Sequence, residues 1–405
     1  MIRNVFLFGL FLIIISCSQN KLSTHKQVLK NDDIYVVDLD DGEKKESLFL
    51  SSLFKNVKCI QLEATDDSFI GRIEKFLVYN NMIYVLDATI ANSLLVFDIK
   101  GTFYNKIGNR GSGPEEYNRI IDFTIDTDKD EIIIVSDRCK MIFFDILSGQ
   151  YKKTLITEPN YPITTIQYYN NILFTDLHEH PKADDKCLIQ SINMSDGKQI
   201  NTFLRINEYN KGFNDFITAY VKYFLPAIEP PFLFRQVFMD TFFSLTPNGL
   251  SPFLTVKSKY FASESDAKEM ADYRNNLLKN PNFLSDFTKK NIIYILYGYF
   301  NHNDFIHFNF SKGGDIFFVQ YNILTGKTTI YEKVINDLLY ENQNTFGDFN
   351  ASFFDRTGVF ECIDINKIPL FAEFLKNNKI NDSIKYQLKD LTEESNPIIF
   401  HYEYK

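Results

Sequence analysis

An all-β fold, a ring of repeated four-stranded units, is what three features of this 405-residue sequence predict. The first is a recurring phrase: an aromatic or aliphatic residue, a polar residue, then a glycine turn. It reads Phe97-Asp98-Ile99-Lys100-Gly101, then Phe144-Asp145-Ile146-Leu147-Ser148-Gly149, Ile192-Asn193-Met194-Ser195-Asp196-Gly197 and Tyr321-Asn322-Ile323-Leu324-Thr325-Gly326, with a degenerate copy ending at Gly249. Glycine suits a hairpin that needs a positive φ. The second is the period: Gly101, Gly149, Gly197 and Gly249 fall roughly 48 to 52 residues apart, the spacing of propeller blades. The third is composition, 40 Phe and 23 Tyr against no Trp, which favours packing on pleated surfaces. The expected architecture is a six-bladed β-propeller with a small helical insertion and short C-terminal helices.

The N-terminus reads as a targeting segment. Arg3 precedes an apolar run from Val5 to Ile15, too short to span a bilayer, which takes about 20 residues. The run stops at Ile14-Ile15-Ser16-Cys17, which resembles a bacterial lipobox. Residues 1–16 are therefore expected to be a lipoprotein signal peptide. Acylated Cys17 would be the membrane contact, residues 17–31 a polar tether, and 32–405 the propeller. No acidic run follows Cys17, so the leaflet stays open. The remaining cysteines, Cys59, Cys139, Cys187 and Cys362, show no C-x-x-C spacing. They read as small buried strand residues, with one disulfide as the alternative.

Strands are expected at 34–37 and 57–62, separated by the Asp40-Asp41-Gly42 turn. Blade one takes Ile73–Tyr79, Met82–Asp87, Ser93–Asp98 and Thr102–Ile107. Blade two takes Ile121–Ile125, Glu131–Asp137, Met141–Asp145 and Gln150–Leu155. Blade three takes Ile163–Tyr168, Asn171–Asp176, Cys187–Asn193 and Gln199–Leu204. Asp87, Asp137 and Asp176 then close the same strand of each repeat, where an Asp can cap its own turn. A degenerate fourth blade would use Gln236–Leu245 and Pro252–Lys257. From Ser263 to Lys290, apolar residues at helical spacing (Ala267, Met270, Tyr273, Leu277, Leu278) predict an insertion of one or two helices with Ser263 or Ser265 as N-cap. Blade five takes Ile292–Tyr299, Asp304–Phe310, Asp315–Asn322 and Lys327–Glu332. Blade six takes Asn350–Phe354 and Val359–Ile363. Helices are expected at Leu370–Asn377 and Asp382–Leu391, then a final strand from Asn396. Early strands that cannot fill a blade, plus a lone last strand, predict ring closure by pairing the two ends.

The loop Gly108-Asn109-Arg110-Gly111-Ser112-Gly113-Pro114-Glu115-Glu116-Tyr117 resembles the G-x-G-P-x-E-Y loop of the six-bladed β-propeller lipoproteins of Bacteroidetes, relatives of NHL-repeat propellers. The lipobox, Leu62-Glu63 with Ile70-Gly71, Tyr84-Val85-Leu86-Asp87 and Asn396-Pro397 fit the same resemblance. It covers nearly the whole mature chain and implies fold and an envelope location, the outer membrane, rather than an activity.

A net charge of −9 without an aromatic-flanked basic cluster excludes nucleic acid as a partner. In the 108–117 loop, Arg110 could meet an anionic ligand group while Glu116 and Tyr117 exchange hydrogen bonds with it. The simpler reading is an inter-blade clip in which Arg110 pairs with a carboxylate and Tyr117 packs. Asp87, Asp137, Arg110 and Arg138 lie at strand ends that can reach a central opening. Asp126 to Asp137 departs from a calcium loop at its Gly and Glu positions. His178-Glu179-His180-Pro181 offers two imidazoles without a third His nearby, so a solvated loop is the simpler account and no metal or cofactor is assigned. A metal-dependent lyase or hydrolase of NHL-propeller type would have to recruit His178 and His180 together with His302 or His307. The reading taken is a non-catalytic binding or scaffold propeller whose ligand is a glycan or peptide. A third reading docks an envelope protein on the 263–290 insertion.

Overall fold

The structure is a computed structural model of the chain. It describes residues 34–405 except 138–139, 158–162, 164, 177–186, 214–223, 229–231, 247–248, 342–346, 378–379, 381, 389–390 and 393–394. Cys17, the signal and tether segments, Arg138, Cys139, His178 and His180 lie outside the described residues.

Six small sheets form a six-bladed β-propeller. The described chain begins with β1 (Tyr35–Asp38), β2 (Glu43–Phe49) and β3 (Phe54–Gln61), none of which pairs with another. Blade one is β4 (Lys75–Tyr79), β5 (Met82–Asp87), β6 (Ser93–Asp98) and β7 (Phe103–Ile107). Blade two is β8 (Ile120–Asp126), β9 (Glu131–Ser136), β10 (Lys140–Asp145) and β11 (Tyr151–Ile156). Blade three is β12 (Ile166–Tyr169), β13 (Ile172–Asp176), β14 (Cys187–Asn193) and β15 (Gln199–Arg205), followed by the short α1 (Ile206–Tyr209). These twelve strands match the expected elements to within a few residues. The first strand of each blade is buried and the last is largely exposed, which places β4, β8 and β12 inside and β7, β11 and β15 at the rim.

The repeated phrase has a physical cause in each copy. Asp98 Oδ1 accepts from the N–H groups of Lys100 and Thr102 at 2.8 and 2.9 Å, and Asn322 Oδ1 accepts from Leu324 and Thr325. The chain can then turn only where φ is positive, at Gly101 (91°) and Gly326 (69°). Gly101 carries a second constraint: a Cβ there would stand 2.1 Å from the Gln61 carbonyl oxygen at the end of β3. The first repeat is thus pressed against the closing blade.

Blade four departs from expectation. Instead of one long strand from Gln236, it has β16 (Phe232–Phe234), β17 (Thr241–Thr246) and β18 (Gly249–Lys257), because Phe238 takes a φ of 63° and breaks the run. After β18 the chain enters α2 (Glu264–Ala271), α3 (Tyr273–Lys279) and α4 (Phe283–Thr288), three helices rather than one or two. Ser263 caps α2 as expected: its hydroxyl accepts from Asp266 N, and Asp266 Oδ2 accepts from Ser263 N. Ala267, Met270, Phe283 and Phe287 pack against Phe238, whereas α3 buries no residue and Leu278 is 86% exposed. These helices occupy the stretch where a fourth strand would run, and β1 fills the outer position instead, parallel to β18.

Blade five is β19 (Leu296–His302), β20 (Phe305–Lys312), β21 (Asp315–Asn322) and β22 (Thr328–Ile335), with β2 added parallel to β22 as a fifth strand. Blade six is β23 (Phe353–Phe354) and β24 (Gly358–Ile363), then α5 (Ile368–Asn377) and α6 (Asp382–Gln387), then β25 (Ile398–Tyr404), with β3 outermost. Pairing of β25 with β3 joins the two ends of the described chain as expected. The unforeseen part is that residues 35–61 form a strap across the rims of three successive blades. The core follows the ring as a series of apolar clusters, each filling the space between neighbouring blades.

Candidate functional site

Antiparallel alternation brings the ends of second strands, the starts of third strands and the blade-to-blade connections to one face of the ring. The described candidate residues, Asp87, Arg110, Glu116, Tyr117 and Asp137, all lie on this face over blades one and two.

Asp87 is fully buried and committed to backbone. Its Oδ2 accepts from Gly71 N at 2.7 Å and Arg72 N at 3.1 Å, and its Oδ1 from Ile90 N at 2.9 Å and Ala91 N at 3.0 Å. The carboxylate therefore fixes two loops rather than meeting a ligand directly. Asp176 repeats part of this arrangement by accepting from Thr165 N. Asp137 is half-buried; burial works to raise its carboxyl, but hydrogen bonds from the Ser136 hydroxyl, the Asn118 amide and backbone outweigh it and hold it below the usual range.

The 108–117 loop is built from the inside out. Tyr117 is wholly buried, and burial pushes its phenol up to about 12. Tyr117 N donates to Asn109 O and Gly111 N to Tyr117 O, both at 3.0 Å, closing a loop around an Arg110–Tyr117 bridge. Glu116 folds back so that its Oε2 accepts from Gly113 N at 2.8 Å. A side chain at residue 111 would meet that carboxylate at 2.0 Å, hence the glycine. Blade two then grips the loop: Lys140 Nζ donates to Gly113 O and Glu116 O, and Thr154 Oγ1 to Pro114 O at 2.6 Å. The inter-blade clip is present, with Tyr117 packed inside it. Arg110, expected to pair with a carboxylate in that reading, is instead exposed, and no ion pair to it occurs among the described residues.

Around the clip the surface is mixed. Arg72 and Arg119 are exposed; Arg72 Nε lies 3.6 Å from Glu74, whose carboxyl burial raises. Asn92 bridges the loops, donating to Asn118 O and accepting from Ile120 N. Ile90 (64% exposed) and Phe69 (48%) supply apolar area beside them.

Three groups that sequence reasoning missed hold this face in place. Lys75 on β4 is buried with Asp122 on β8, 3.3 Å apart, and donates to Phe123 O at 2.7 Å. Asp122 Oδ2 also accepts from Ile166 N on β12, so one carboxylate links the inner strands of three blades. Asn396, fully buried just before β25, donates to Glu63 O and Ser68 O at 2.8 Å and accepts from Ile70 N at 2.9 Å. A charged residue in an apolar strand and an Asn-Pro before the last strand are the sequence marks of these groups.

His302 and His307 sit on adjacent strands of blade five, β19 and β20. His302 stacks on Tyr404 at 3.8 Å, and His307 is buried against Phe300, with burial lowering it to about 3. Among the described residues no three His, Cys, Asp or Glu side chains converge as metal ligands. Cys59, Cys187 and Cys362 are half-buried or buried and form no disulfide with one another. No helix of the described residues is long and apolar enough to cross a membrane.

Comparison with solved structures supports the fold. A crystallised Bacteroides fragilis protein, named as a presumed exported protein, superposes with a TM-score of 0.68 at 16% identity, covering 92% of this chain and 100% of that one. BamB from Moraxella catarrhalis gives a TM-score of 0.33 at 9% identity over 70% of this chain and 67% of that one, too distant to bear on function. No curated protein matches the sequence. Residues 34–403 match a single family along nearly the whole ring, and the chain belongs to it: DUF4934, a domain of unknown function.

Proposed function

We propose that the chain is a non-catalytic binding propeller of the bacterial envelope, lipid-anchored at Cys17, whose face over blades one and two engages an acidic group of a glycan or peptide. The observation that carries this reading is the 108–117 clip. Its foundation, Tyr117, Glu116 and Gly113, is spent on internal and blade-two contacts, while Arg110 at its tip faces water. A guanidinium held out on a rigid loop loses little freedom on meeting a carboxylate, sulfate or phosphate, and a planar fork suits such groups. Arg119 and the exposed Ile90 and Phe69 would extend the contact. Asp87 and Asp137 serve by fixing the loops on which these groups stand.

The test is a screen of acidic and neutral glycans and peptides, followed by titration of the best ligand. Arg110→Ala is expected to weaken binding tenfold or more, on the order of one charge-assisted hydrogen bond, with an unchanged urea midpoint. Equal affinity in the variant removes Arg110 from the site. The anchor is checked separately: labelled fatty acid should enter the wild-type protein and not Cys17→Ala, and labelling of both would overturn the anchor.

A further inference from the structure

The face over blades one and two sorts its charges by sign. Its carboxylates are engaged from within. Asp87 is saturated by backbone N–H groups on both oxygens. Glu74, its side chain 2% exposed, accepts from Ala88 N and the Thr89 hydroxyl. Glu116 accepts from Gly113 N, and Asp137 from the Ser136 hydroxyl. Within the 108–117 loop the exposed carboxylate is Glu115. The arginines Arg72, Arg110 and Arg119 are by contrast all exposed. In a chain of net charge −9 this face is a local cationic surface.

The three guanidiniums also stand on one framework. Arg72 N donates to Asp87, whose other oxygen holds Ile90 N and Ala91 N. Asn92, next along, donates to Asn118 O and accepts from Ile120 N, the residues on either side of Arg119. Arg119 O accepts from Asp137 N. Arg110 is bridged to Tyr117, two residues before Arg119. Strand spacing and the reach of two residues put the Cα atoms of Arg110 and Arg119 within about 12 Å of each other.

We propose that the ligand of this face is a linear polyanionic glycan with an acidic group on successive sugars, an assignment that rests on Arg110 being a binding residue. Arg110 and Arg119 take separate acidic groups, and Arg72 a third. A lone anion needs one guanidinium, whereas a chain of anions gains from each further one, because every contact after the first is intramolecular. The planar fork of each arginine suits a carboxylate or a sulfate. Loops fixed by backbone hydrogen bonds hold the three cations at set intervals, which matches a stiff, ring-built chain whose charges recur regularly. A disordered acidic peptide would first have to be ordered, at a cost in affinity. Ile90 and Phe69, exposed beside the arginines, offer apolar surface to the faces of sugar rings.

The experiment is calorimetric titration of the full chain with an acidic sugar and its linear tetramer, in a uronic and a sulfated series, beside a neutral tetramer and tetraglutamate. The tetramer of the tighter series is expected to bind about a hundredfold more strongly than its monomer. Arg119→Ala should weaken the tetramer about tenfold and make its affinity less sensitive to salt, with an unchanged urea midpoint. Arg72→Ala should act in the same direction. If Arg110→Ala weakens binding but monomer equals tetramer, or the tetramer ignores Arg119→Ala, the polyanion is overturned and the Arg110 site stands. If Arg110→Ala changes nothing, the Arg110 site falls and the polyanion with it. Failure of both acidic series to bind, or a neutral tetramer or tetraglutamate that matches them, overturns the acidic glycan.

Discussion

Asn396→Ala is expected to lower the unfolding free energy by about 3 to 5 kcal/mol, measured by equilibrium urea unfolding. The side chain supplies two donors and one acceptor, all used, and it is fully buried. Its removal leaves the carbonyl of Ser68 and the N–H of Ile70 without their partner, at roughly 1 to 3 kcal/mol per orphaned group, while the Glu63 carbonyl keeps only the Ser68 hydroxyl. Asn396→Asp should be no better, because it places a carboxylate against two carbonyl oxygens. A loss under about 1 kcal/mol for the alanine variant would mean that water enters the seam and that the latch between β25 and blade one is not a dry one.

The second large effect is at the centre of the ring. Lys75→Met should cost about 3 to 5 kcal/mol, because it leaves Asp122 charged, buried and deprived of the ammonium 3.3 Å away. Adding Asp122→Leu should restore part of that loss, since an apolar pair needs no solvation, although Ile166 N then loses its acceptor. A double-mutant cycle measures the coupling. Additive losses in the two single variants would show that Lys75 and Asp122 act on the fold independently, contrary to their geometry.

Blades one to three and five were legible in the sequence because their turns announce themselves. An Asp or Asn that accepts backbone N–H groups, followed by a glycine at positive φ, is a local device needing no knowledge of the rest of the chain. The strap was only partly legible. β2 begins Glu43-Lys44-Lys45-Glu46, four exposed residues at a rim where both faces are wet, so no alternation marks it. Nor does anything in Tyr35–Asp38 say that its partner lies in β18, reached by parallel pairing where helices occupy the expected strand's stretch. At the candidate site the same limit applies. Asp87 and Arg110 look equally available in a sequence, yet one is saturated by four N–H groups and the other stands in water; only the fold distinguishes them. Lys75 likewise stands in the sequence as a lone charge within an apolar strand, and only the fold brings Asp122 beside it.

The strap also sets a timetable for folding. β1, β2 and β3 are the first strands of the ring to be synthesised, yet their partners are β18, β22 and β25, at residues 249–257, 328–335 and 398–404. Lys58 meets Glu403 across 345 residues of chain, and Ser51 meets Asp337 across 286. Blades one to three can assemble from local hairpins as they emerge, but the strands of the leading segment must wait in turn for β18, β22 and β25. Such long-range closures are slow relative to hairpin formation. The ring is therefore closed only once β25 has been made, and loss of the seven residues of β25 alone would strand β3 and leave the circle open.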